Sequence, residues 1–186
     1  MDLKSLFAPF NLKTEEIKPF LLKRIVLVTL LLIVIIGLDQ ASKHYIRHQL
    51  SPLSQYKFVF NLLTIERVQN TGAFLSLGDT LKGPVKVIIL NIVPLLVMLF
   101  GLAFVLLAKS IDKANIYGIA LVLGGGLGNL YDRMLYNSVT DFLFLKLGFL
   151  QTGVFNIADM AIMGGMFTIL IHSYLKDRKA KQNLES

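Results

Sequence analysis

Four long apolar runs, about Leu21 to Leu38, Val85 to Ala108, Ile116 to Tyr131 and Phe155 to Tyr174, dictate what this 186-residue chain can become. A helix needs about 20 apolar residues to cross a bilayer, and within hydrocarbon only helices and closed barrels satisfy every backbone N–H and C=O. The pattern predicts four membrane-spanning helices. The third run is the shortest and reaches crossing length by extending into Ala114 and on to Met134-Leu135. A mean hydropathy of +0.64, with 54% hydrophobic and 17% charged residues, excludes an ordinary water-soluble domain.

The first run is expected to stay in place as a span. It lies too far into the chain for a removable signal peptide, and no Ala-x-Ala-like site follows it. An even number of spans puts both termini on one side. Lys4, Lys13, Lys18, Lys23 and Arg24 flank one end, and Lys176, Arg178, Lys179 and Lys181 the other. Positive charge marks the cytoplasmic side, so both termini are expected in the cytoplasm. The outer loops, with Lys43, Arg47, Lys57, Arg67, Lys82, Arg133 and Lys146, vote the other way against Lys109 and Lys113 in the inner turn. The termini decide the orientation.

A net charge of +7 invites a nucleic-acid reading, but no basic stripe or recognition motif accompanies it. Membrane phospholipid headgroups are the expected counterpart. The chain has no cysteine, which removes disulfides, thiolate catalysis and Cys-ligated metals. His44, His48 and His172 are too far apart along the expected topology for a metal site, and there is no His-Glu-x-x-His. Ser42 and Lys43 are neighbours that point apart on a helix, so a serine peptidase is a poor fit.

The organisation reads as one membrane domain over residues 21–176. It is preceded by a cytoplasmic extension over 1–20 and followed by a cytoplasmic tail over 177–186. The extension is either an interfacial segment with Phe7, Phe10 and Leu12 dipping into lipid, or an unanchored terminus. Between the first two spans, residues 45–84 form a strand-rich segment whose centre, Lys57 to Val68, is dense in β-branched and aromatic residues. A second extended stretch, about Phe142 to Val154, is placed to pair with it. The fold class is therefore membrane all-α with a small β element, the sheet lying at the outer membrane surface because strand edges cannot face lipid.

Polar residues at the span ends carry the chemistry. Asp39 and Lys43 lie four apart on one helical face, either as an ion pair ending a span or as a support for a site. Asn70-Thr71-Gly72-Ala73-Phe74 combines a versatile amide with small residues that admit a close backbone approach. Gly124-Gly125-Gly126-Leu127-Gly128 suits tight helix contact, with no P-loop signature. Asn129, Asp132 and Arg133 follow at the same span end, where the planar Arg133 fork can hold a carboxylate or a lipid headgroup. Asp141, in Val139-Thr140-Asp141-Phe142, and Asp159, in Phe155-Asn156-Ile157-Ala158-Asp159, stand on either side of one loop. If they converge, one carboxyl keeps a proton while the other activates water. Asn156 is alternatively the N-terminal cap of the fourth helix, with Asp159 complementing its dipole.

Together, Asp39-Gln40-x-Ser42-Lys43, Asn70-x-Gly72-Ala73-Phe74, Gly128-Asn129-x-x-Asp132-Arg133, Val139-x-Asp141-Phe142 and Phe155-Asn156-x-Ala158-Asp159 closely resemble the blocks of the bacterial lipoprotein signal peptidases, or signal peptidase II. The resemblance covers about residues 25 to 175. It implies an aspartic endopeptidase of the bacterial inner membrane, active site toward the periplasm. Such an enzyme cleaves diacylglyceryl-modified prolipoproteins just before the lipidated cysteine. It further implies Asp141 and Asp159 as the catalytic pair, and Asp39, Lys43, Asn70, Gly72, Asn129, Arg133, Asn156 and Ala158 as site supports or substrate contacts. Sensitivity to globomycin and the absence of a metal or organic cofactor also follow; separately, a monomer is the expected state. Two departures stand out. Asn137-Ser138 occupy the place where the family usually has Gly, and the N-terminal extension is longer than many members carry. The competing readings are a proton-coupled transporter, whose carboxylates would run through the span centres, and a non-catalytic lipid-binding protein.

Overall fold

The computed structural model describes residues 17–73, 78–108 and 110–185. Most of the N-terminal extension, Phe74 and Lys109 lie outside the described residues. Four helices follow in order: α1 (Ile17–Gln49), α2 (Gly83–Leu107), α3 (Lys113–Tyr136) and α4 (Ile157–Glu185). An antiparallel sheet in the order β1 (Gln55–Phe58), β2 (Leu63–Asn70), β3 (Val139–Leu147), β4 (Leu150–Gln151) fills the connections after α1 and after α3.

Among the described residues, three helices are long and apolar enough to cross a membrane, over Leu21–Gln49, Gly83–Leu107 and Ile157–Asn183. They leave large apolar side chains exposed, among them Leu30, Ile33 and Val34 on α1, Leu96 and Phe100 on α2, and Phe167, Leu170 and Ile171 on α4. Lipid is the solvent that suits such surfaces, and this is a membrane protein. The third expected span differs. Helix α3 is 24 residues long and packs against the other three helices. Enclosure relieves it of the need for an all-apolar surface, and it carries Asn129, Asp132 and Arg133 in its C-terminal half.

Its glycines explain the central position. A methyl on Gly124 would come 2.8 Å from Ile35 of α1, one on Gly126 2.5 Å from Met98 of α2, and one on Gly125 would overlap the Ala158 carbonyl of α4. Small residues let three neighbours approach one backbone, where packing must supply association because lipid offers no hydrophobic drive between helices. Gly125→Ala should therefore push α3 and α4 apart and destabilise the fold by about 1–3 kcal/mol. A fall in the thermal midpoint of the detergent-solubilised protein reports it; an unchanged midpoint rejects tight packing at this position.

Several boundaries move from the sequence expectation. Helix α1 runs past Leu38 to Gln49, so Asp39 and Lys43 sit inside a continuous helix and do not end it. Helix α4 continues to Glu185, making most of the tail helical. The stretch Lys57 to Val68 is a hairpin, broken by Val59, Phe60 and Asn61 at φ 50, 54 and 68. The second extended stretch begins earlier, at Val139, and turns at Gly148 (φ 60). It does pair with the first: Val68 stands opposite Asp141 and Asn70 opposite Val139. In α2 a π turn over Ile88–Ile92 precedes Pro94, with the Val93 N–H reaching back to Ile88 O. Proline cannot donate to the carbonyl four residues earlier, and the turn absorbs the loss. Asn137 closes α3 in the left-handed conformation (φ 54), its N–H on Arg133 O at 3.0 Å. Asparagine tolerates that region better than most residues, so it serves where a glycine is usual.

Candidate active site

Strand β3 and the first turn of α4 deliver the two carboxylates to one cavity. Asp141 is buried, at 3% exposure, and accepts hydrogen bonds from Asn70 Nδ2 at 3.0 Å and Asn156 Nδ2 at 2.6 Å. Asp159 accepts from Asn129 Nδ2 at 2.8 Å and from the Asn156 backbone N–H at 3.2 Å. Asn156 Oδ1 in turn accepts the Asp159 N–H at 2.9 Å. This reciprocal pair is a capping box, which satisfies two orphan donors at the start of α4. Asn156 is thus both the helix cap and a direct hydrogen-bond partner of Asp141.

A buried chain of polar groups stands behind the pair. Lys43 Nζ, fully buried, bonds Asp39 at 2.8 Å and Asn129 Oδ1 at 2.9 Å. A lysine can only donate, so it fixes which way the Asn129 amide points: oxygen toward Lys43, nitrogen toward Asp159. Asn156 Nδ2 shares the same Asn129 oxygen at 3.2 Å. The second Asp39 oxygen accepts the Ala158 N–H at 3.0 Å, tying α1 to the N-terminus of α4. Gly128 makes room, since a Cβ there would lie 2.6 Å from Asp39 Oδ2.

Arg133 takes another part. Its Nη2 donates to Gly72 O at 3.0 Å. The Gly72 N–H is held by Asn70 Oδ1 at 3.0 Å, and Asn70 also reaches Ala73 O at 3.1 Å. Arg133 therefore secures the loop that aims Asn70 at Asp141. Among the described residues, no carboxylate lies within ion-pair distance of its guanidinium.

The cavity measures about 590 Å³ and is lined by Asp141, Asp159, Asn70, Asn129 and Arg133 together with Val139, Leu145, Val154, Phe155, Met160 and Met163. Burial, opposed by the Asn70 hydrogen bond and reinforced by the charge of Asp159, pushes the Asp141 carboxyl up to about 6. Among the described residues no group of three or more His, Cys, Asp or Glu is arranged to hold a metal ion.

The sequence singles out Asp132 but not its partners Arg47 and Thr140. Asp132, fully buried, accepts from Arg47 at 3.3 Å and from the Thr140 N–H at 3.1 Å, and lies 3.6 Å from Lys43. Arg47 also reaches Thr140 Oγ1 at 3.2 Å and stacks over the Tyr136 ring at 4.3 Å. Gln69 and Ser138 extend the cluster, with Ser138 Oγ on Gln69 Oε1 at 2.9 Å. These contacts brace β3 one residue before Asp141. A signal was present: Arg47 lies one turn beyond Lys43 on the face that already carries Asp39.

A helical membrane fold with paired acidic side chains opening on a largely apolar cavity is the layout of a membrane-bound enzyme. Residues 31–175 match the family described as signal peptidase (SPase) II, and the chain belongs to that family. Proteins named lipoprotein signal peptidase are similar to it along most of their length. The one from Buchnera aphidicola subsp. Schizaphis graminum is 34% identical over 75% of this chain and 88% of its own. The one from Maridesulfovibrio salexigens is 33% identical over 76% and 91%, and that of Borrelia duttonii 30% over 78% and 88%. Among solved structures, a bacterial membrane enzyme determined by the in meso method at 2.3 Å resolution superposes with a TM-score of 0.72. It is 25% identical, over 84% of this chain and 92% of that one.

Proposed function

We propose that this chain is an aspartic endopeptidase that cleaves the signal peptide from diacylglyceryl-modified prolipoproteins, breaking the peptide bond just before the lipidated cysteine. Asp141 and Asp159 form its catalytic pair. The observation that carries this reading is their common cavity, in which a single residue, Asn156, bonds both. Helix α3 completes a four-span bundle in the bacterial inner membrane, with both termini cytoplasmic and the sheet and cavity at the periplasmic face. Diacylglycerol confines its peptide to the outer headgroup layer, the depth at which such a cavity opens.

The chemistry follows from the two environments. Asp141, with its raised affinity for a proton, donates that proton to the scissile carbonyl oxygen. Asp159 sits among N–H donors at the positive end of α4, and its carboxylate takes a proton from the attacking water. The resulting gem-diol collapses as Asp159 passes its proton to the departing cysteine nitrogen and Asp141 recovers one from a hydroxyl. Carbon–nitrogen cleavage leaves a new carboxyl on the signal peptide and a free amine on the lipidated cysteine. Substrate filling the cavity excludes further water and strengthens the hold of Asp141 on its proton.

Purified protein in detergent should cut a diacylglyceryl-modified lipobox peptide at the bond before cysteine. Absence of that product under conditions where the protein remains folded would overturn the reading. The free protein offers a second test. A carboxyl raised from near 4 to about 6 means the folded state binds a proton that the unfolded state has released between those values. Its stabilising contribution is therefore present at acid pH and lost as pH rises through about 6. An infrared carboxylic C=O band titrating near that pH, and missing in Asp141→Asn, is the expected result.

A further inference from the structure

A second cavity, of about 340 Å³, lies between the N-terminal ends of α1 and α3 and is lined by Lys23, Arg24, Leu27, Lys113, Ile116 and Tyr117. Its depth is set by α1. From Lys23 to Lys43 the helix is continuous, and that interval rises about 30 Å at 1.5 Å per residue. This is the thickness of a hydrocarbon core. With the Lys43 network and the carboxylate pair at one surface, the second cavity sits at the headgroup level of the other.

Among the described residues, three of its lining side chains are cations and none is acidic. Arg24, at 7% exposure, is fixed in the wall by hydrogen bonds to the carbonyls of Val105 and Ala108, where α2 ends. Asp112, the neighbour of Lys113, is engaged elsewhere: Lys176 and His172 of α4 hold its carboxylate at 2.8 and 3.0 Å. Lys23 and Lys113 form no ion pair among the described residues. Leu27, Ile116 and Tyr117 make up the rest of the wall. Ile116 belongs to the buried cluster with Val28, Val105 and Leu123, and Leu27 packs against it. A soluble anion would have no use for that surface.

We propose that this cavity binds an anionic glycerophospholipid of the leaflet opposite the carboxylate pair. Lys23, Arg24 and Lys113 surround its phosphate, and its glycerol and first acyl carbons lie against Leu27 and Ile116. Phosphatidylcholine, which carries its own cation, gains less from three positive side chains, whereas phosphatidylglycerol keeps a net negative charge to meet them. A cation near a membrane surface contributes about a fivefold preference for an anionic lipid, so loss of two lysines should cost about 25-fold.

The test uses the full chain, delipidated in detergent, with phosphatidylglycerol and phosphatidylcholine competing for retention measured by native mass spectrometry. The wild-type protein should retain phosphatidylglycerol selectively. The Lys23→Gln/Lys113→Gln variant should lose about 25-fold of that selectivity, and Lys23→Arg/Lys113→Arg should keep it. If the double Gln variant does not fold, each single Gln variant should lose about fivefold. Equal retention of the two lipids by the wild type, or selectivity that survives the Gln substitutions, overturns the proposal. Displacement of the lipid by glycerol 3-phosphate at equal concentration would assign the site to a soluble phosphate and overturn it as well.

Discussion

Asp141→Asn and Asp159→Asn should each lower kcat for the lipobox peptide by about 10³-fold or more, with KM little changed, because each removes a proton carrier while preserving side-chain shape. The two losses arise differently. Asp159→Asn leaves a group that cannot take the proton from water. Asp141→Asn removes the acid and also sets an amide against Asn70 and Asn156, both donors at this position. One amide nitrogen must then face a donor, so Asn70 or Asn156 has to turn. The double variant should be little slower than either single one, since residues that act as a unit are not additive. Cleavage assays on folded, detergent-solubilised variants decide the matter. Either variant working at the wild-type rate would remove its aspartate from the mechanism, and a pure rise in KM would make that residue a binding group only.

Much of this site was legible in sequence because its parts sit on regular elements whose spacing fixes their direction. Asp39 and Lys43 are one helical turn apart, as are Asn129 and Arg133, and Asn156 and Asp159 are spaced as a cap and its partner. Convergence was not legible. It depends on the register that sets Val68 opposite Asp141 and on the glycines that bring α3 against both α1 and α4. The hairpin was hidden for a local reason: Val59 and Phe60 take positive φ without glycine, so a turn reads as strand. The length of α1 was hidden for a distant one. Charges at Asp39 and Lys43 look like the end of the helix until Asn129, Asp132 and Ala158 supply their partners. Arg133 illustrates the limit of residue chemistry alone. A guanidinium near carboxylates suggests an ion pair, yet here it holds the Gly72 carbonyl.

Lys43→Met should be the most damaging change outside the pair itself, costing about 3–5 kcal/mol of stability, since removing one member of a buried ion pair strands the other. Two carboxylates are at stake: Asp39 at 2.8 Å and Asp132 at 3.6 Å, both fully buried. Arg47 still serves Asp132, at 3.3 Å, so the uncompensated charge is chiefly Asp39. Asp39→Asn added to Lys43→Met should then restore part of the stability, giving a coupling that independent sites would not show. Activity should not return with it. Without Lys43 only the Asn156 amide, among the described residues, holds the Asn129 oxygen in place, and an inverted Asn129 amide would turn its oxygen toward Asp159. Thermal midpoints and kcat, measured on both variants, separate the two roles. Recovery of stability without recovery of kcat is the expected pattern. Recovery of both would reduce Lys43 to a counter-ion for Asp39, and full stability in Lys43→Met would reject the buried network as a support for the site.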